Sequence, residues 1–96
     1  MTLDGAHEKL NECRRNIDRI DLQLLALLNE RARVVEIIGS VKREHAIPVY
    51  EPKREDAVYQ NVLEHNHGPL PADAVRRVFE RIIDEMRTLQ KVRMQQ

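Results

Sequence analysis

Residues 10–42 read LNECRRNIDRIDLQLLALLNERARVVEIIGSVK, and the spacing of their apolar side chains decides the fold. Leu10, Cys13, Ile17, Ile20, Leu24 and Leu27 recur at alternating steps of 3 and 4, and after a gap of 7 the series resumes at Val34, Ile38 and Val41. That alternation is a heptad seam on an α-helix. A second ridge of Leu25, Leu28, Ala32 and Val35 widens the stripe beyond a simple coiled coil, as a helix in a bundle requires. No proline interrupts Asp4 to Glu44, and the only glycines in that span are Gly5 and Gly39. One long helix is therefore predicted there.

Working outward, Pro48 and Pro52 bracket the short connection Val49-Tyr50-Glu51. Pro52 suits the first position of a second helix, where its missing N–H is no loss, and that helix is predicted over about Lys53 to His65. Asn66-His67-Gly68-Pro69-Leu70-Pro71 is a stop and restart, with Gly68 as a left-handed cap. A third helix is predicted from Ala72 to Met94, and no alternating strand pattern is present. The expected fold class is all-α: three helices (long, short, medium) in a single domain over residues 1–96, with its core at about 10–92.

Length bears on assembly. About 38 helical residues span roughly 57 Å, whereas a compact chain of this size has a diameter of about 32 Å. The apolar stripe runs the whole way, so an intertwined homodimeric helix bundle is expected. The alternative is a break near Asn29-Glu30-Arg31 that folds the helix back on itself, but no Gly or Pro supports it.

Composition removes several classes of function. The 16 Lys and Arg balance 16 Asp and Glu, which argues against a nucleic-acid or anionic-membrane partner. No apolar run approaches the ~20 residues of a membrane span. The first residues lack a basic region followed by an apolar stretch, so no signal peptide is expected. A lone Cys13 excludes an intrachain disulfide and fits a cytoplasmic location.

Polar residues where apolar ones belong point to a site. Arg31 occupies a seam position, and Lys42 lies eleven residues on, about 20° round the helix and roughly 16 Å along it. Two such side chains can clasp a small anion. On the third helix, Gln90 follows Met86 by one turn beside the Ile82–Met86–Leu89 seam, where a buried amide needs a partner. Arg14 is about 100° and some 25 Å from Arg31 on the same helix, so only the Arg14 of an antiparallel second chain can meet it. Arg54 and Glu55 begin the second helix and can close the same pocket. No nucleophile is paired with a base, and His65 and His67 offer only two ligands with no cysteine nearby, so no metal is expected. A cation-rich pocket of this kind suits a small dianion, or a reaction that needs only positioning and electrostatics.

Several stretches in order and spacing resemble the all-helical chorismate mutases. They are Arg14 with Ile17-Asp18; Asp21-x-x-Leu24-Leu25-x-Leu27-Leu28-x-Glu30-Arg31; Ile38-Gly39-x-x-Lys42; Pro48-Val49 with Glu51-x-x-Arg54-Glu55; and Phe79-x-x-Ile82-Ile83 with Gln90. The resemblance implies an intertwined homodimer that converts chorismate to prephenate without a cofactor, in the shikimate pathway towards Phe and Tyr. It implies that Arg14 of one chain and Arg31 of the other clamp the substrate carboxylates through bidentate guanidinium pairs. Lys42 and Gln90 would donate to the ether oxygen, Glu55 would accept from the ring hydroxyl with help from the backbone near Glu51, and Arg54 would orient the substrate. Met86 departs from relatives that carry a small hydroxyl residue at that position, and Glu51 stands where some carry aspartate. The same fold also hosts isochorismate–pyruvate lyases and allows a non-catalytic regulatory or docking module, and a second shikimate-pathway enzyme is a candidate partner.

Overall fold

Three helices account for about four fifths of residues 1–95, the part of the chain that the computed structural model describes. They are α1 (Leu3–Glu44), α2 (Pro52–Glu64) and α3 (Ala72–Met94). The chain divides into two compact units, Met1–Arg31 and a second beginning at Ala32, with α1 contributing to both. Helix α1 runs through Asn29, Glu30 and Arg31, so the fold-back alternative does not occur. Among the described residues no helix is long and apolar enough to cross a membrane.

Each helix end has a local cause. Helix α1 closes on Ala46, whose φ of 54° lies in the left-handed region, and the Ile47 N–H then reaches back to the Lys42 carbonyl at 2.9 Å. That is the longer bond of a Schellman cap, with alanine where glycine is usual. Helix α2 starts with Pro52 in its first turn, as predicted. It ends at Glu64, and its cap residue is His65, whose backbone N–H bonds to the Asn61 carbonyl at 3.2 Å. Gly68 is left-handed at φ 78°, but it lies beyond that cap and does not serve as it. Asn66 shapes the connection instead: its Oδ1 accepts from the Gly68 N–H at 3.1 Å, and its Nδ2 donates to the Leu70 carbonyl at 2.8 Å. Helix α3 opens after Pro71, whose carbonyl accepts from Ala74 and Val75, each at 3.1 Å.

The core of the second unit is small. Val35 of α1 and Val75, Ile83 and Met86 of α3 are buried, and Lys42 is buried with them. Gly39 lies where α1 meets α3: a Cβ there would be in ordinary contact, 3.6 Å from the Gln90 carbonyl oxygen and 3.5 Å from the Arg93 Cβ. Ion pairing of Arg93 with Glu36 joins the same two helices. Arg76 of α3 stacks 4.5 Å over the Tyr59 ring of α2. On α1, by contrast, Leu10, Ile17, Ile20, Leu24, Leu25, Leu27, Val34 and Val41 are all exposed.

Candidate active site

Lys42 anchors the site. It stands two residues before the end of α1 and is only 6% exposed. A buried ammonium is costly unless paired and hydrogen-bonded. The Schellman turn supplies both requirements by folding the next segment back: Nζ donates to the Val49 carbonyl at 3.0 Å and lies 2.6 Å from Glu51 Oε1. Those contacts engage two of the three ammonium hydrogens, and Glu51 acts through its side chain rather than through its backbone alone.

Gln90 sits one helical turn along from that lysine, because its backbone lies against Gly39, three residues before Lys42 on α1. The Gln90 side chain is half-buried, and its Oε1 is shielded from solvent without a hydrogen-bond partner among the described residues. An amide oxygen left so costs about 1–3 kcal/mol, the kind of deficit that a bound ligand relieves. Met86, one turn earlier, is 9% exposed and belongs to the core, so it offers packing rather than a polar contact.

Glu55, in the first turn of α2, is positioned by a residue that sequence reasoning does not single out. Arg87 Nη2 donates to Glu55 Oε2 at 2.6 Å, across 32 residues of sequence. Arg87 Nη1 also reaches Asp84 Oδ1 at 3.1 Å, and its guanidinium lies 5.3 Å from the Tyr50 ring centroid. The hydrogen bond from Arg87 to Glu55 holds the guanidinium charged above its ordinary range, against the opposing effect of burial. Arg87 follows Met86 on α3, and nothing in local spacing marks it as a partner of Glu55.

Arg54 is exposed on the first turn of α2. Arg14 is exposed on α1 and donates to Asn11 Oδ1 at 3.4 Å, whereas Arg31 is half-buried. The second unit therefore brings Lys42, Glu51 and Gln90 into one neighbourhood, while Arg14 and Arg31 belong to the first unit. His65 Nδ1 is taken up by the Asn61 carbonyl at 2.7 Å.

Comparison with known proteins gives this arrangement a family. The model of chorismate mutase type II matches residues 13–91. A bifunctional chorismate mutase/prephenate dehydratase of Aquifex aeolicus is 36% identical over 88 residues, covering 88% of this chain and 24% of that protein. A chorismate mutase of Methanocaldococcus jannaschii is 32% identical over 88 residues, covering 88% of this chain and 86% of its own length. The solved chorismate mutase of Thermus thermophilus (form II) superposes with a TM-score of 0.85 at 32% identity, over 86% of this chain and 94% of that one. The chain thus spans about a quarter of the length of the bifunctional relative but nearly all of the monofunctional one. The family match takes in every candidate from Arg14 to Gln90, and on it the chain belongs to the chorismate mutase type II family.

Proposed function

We propose that this chain is an isomerase that converts chorismate to prephenate in the cytoplasm, on the shikimate route to phenylalanine and tyrosine. In this intramolecular Claisen rearrangement the ether C–O bond breaks as a C–C bond forms, with no atom gained or lost. The observation that carries the reading is the buried Lys42 ammonium, fixed by Val49 and Glu51. Negative charge grows on the ether oxygen as the bond breaks, so donors aimed at it bind the transition state more tightly than the substrate. Lys42 and Gln90 take that role. Arg31 clamps a carboxylate, Glu55 accepts from the ring hydroxyl, Arg54 orients the substrate, and Glu51 holds Lys42. Met86 packs beneath the site.

The functional unit is a homodimer in which the partner's Arg14 completes the carboxylate clamp. Support comes from the exposed seam of α1, where Leu24 and Leu27 are 52% and 61% exposed. Contiguous apolar surface of that kind marks an interface. An enzyme that consumes prephenate is a fitting partner, since the Aquifex relative joins the mutase to a prephenate dehydratase.

The test is incubation of the purified protein with chorismate and, separately, isochorismate, with products identified by mass spectrometry. Prephenate from chorismate alone is expected. Salicylate and pyruvate from isochorismate would replace this reading with the lyase. A folded dimer inert to both would leave a binding or docking module.

A further inference from the structure

We propose that Arg87 sets the substrate choice of the site, by neutralising Glu55 so that it accepts a ring hydroxyl and discriminates against a ring amine. The proposal rests on the reading of Glu55 as the acceptor for the substrate's ring hydroxyl.

Arg87 Nη2 and Glu55 Oε2 lie 2.6 Å apart, with the two side chains only 28% and 21% exposed. Charges that close, partly shut away from water, largely cancel one another's field. The guanidinium has little freedom to leave, because Asp84 takes Nη1 at 3.1 Å and the Tyr50 ring lies 5.3 Å from it. Asp84 itself is 59% exposed, so solvent screens most of its charge. Arg87 occupies one oxygen of Glu55, and the other keeps its lone pairs for a ligand. A hydroxyl needs only such an acceptor. An amine on the same ring carbon is an ammonium at neutral pH, and it needs a carboxylate whose charge is not already spent on a cation. Specificity here is a difference between two affinities, and the ion pair acts on the charged ligand far more than on the neutral one.

The experiment compares kcat/KM for chorismate and for 4-amino-4-deoxychorismate in the unmodified protein, Arg87→Met, Arg87→Gln and Arg87→Lys. The expected result is a shift of the ratio towards the amine by roughly tenfold or more in Arg87→Met and Arg87→Gln, with Arg87→Lys close to the parent. Loss of packing alone lowers both substrates in proportion and leaves the ratio fixed, and a fixed ratio in the folded variants overturns the proposal. Two neutral replacements guard against one that does not fold, as checked by circular dichroism. Combining Glu55→Gln with Arg87→Met is expected to abolish the gain for the amine. A gain that persists in the double variant also overturns the proposal. The activity reading fails separately, by an unmodified protein that leaves chorismate untouched.

Discussion

Lys42 Nζ lies 2.6 Å from Glu51 Oε1 and donates to the Val49 carbonyl at 3.0 Å, so the segment that follows α1 is tied back onto the last turn of the helix that precedes it. The ammonium is thereby fixed before any substrate arrives, which is the condition for electrostatic stabilisation without reorganisation. Lys42→Ala is expected to lower kcat by at least ~10²-fold, measured by the disappearance of chorismate absorbance. A loss of less than about tenfold removes Lys42 from the chemistry.

Glu51→Gln tests the other half of the same pair. The carboxylate is 48% exposed, so water compensates for part of its loss. A destabilisation of about 1 kcal/mol is expected in urea titrations, well short of what breaking a fully buried pair costs. The ammonium loses a fixed orientation, so kcat/KM is expected to fall by roughly tenfold, less than in Lys42→Ala. An effect on activity as large as that of Lys42→Ala would give Glu51 a direct contact with substrate.

Ala46→Gly addresses the turn itself. Ala46 is exposed with φ 54°, a conformation that costs an L-residue about 1–2 kcal/mol and glycine almost nothing. Glycine loses more chain entropy on folding, which takes back part of the gain. A net stabilisation of about 0.5–1 kcal/mol is expected, seen as a rise of a few degrees in Tm at fixed chain concentration. An unchanged or lower Tm would mean that the turn is held by its hydrogen bonds at no conformational cost.

The helices are legible in the sequence because their signals are local. Pro52 and the Pro69–Pro71 stretch place the starts of α2 and α3, and the heptad steps carry α1 through Arg31. Gln90 is legible as well, since an amide beside an apolar seam is conspicuous wherever the helix packs. The left-handed Ala46 is not, because alanine carries no preference for that conformation. The Lys42–Glu51 pair follows from that turn, and the Arg87–Glu55 pair joins α3 to α2 across 32 residues. Both depend on tertiary placement, which spacing along one helix does not encode.

The amide of Gln90 has no titration in the working range, so kcat is expected to vary little between pH 6 and 9. Gln90→Glu changes that. A protonated carboxyl donates as the amide does, whereas the ionised form places negative charge beside the oxygen where negative charge grows. Activity of the variant is therefore expected to fall as pH rises through the pKa of the new acid and to recover on acidification. A strong acid limb in the unmodified protein, or a variant active at high pH, would take Gln90 out of contact with the reacting oxygen.

A shared site makes a last prediction that a self-contained one does not. Arg14→Ala and Lys42→Ala chains are each expected to be nearly inactive, since each dimer then lacks a clamp or a donor in both sites. If the partner's Arg14 serves the site built on this chain's Lys42, a heterodimer of the two variants has one site missing both groups and one site missing neither. Unfolding and refolding an equal mixture gives heterodimers in about half of all dimers, each with one intact site of two, so about a quarter of wild-type activity per chain is expected. If both groups come from the same chain, every site in the mixture lacks one of them and no activity returns. Light scattering on the refolded mixture establishes that dimers have formed. Recovered activity then requires that α1 carry Arg14 into its neighbour's site.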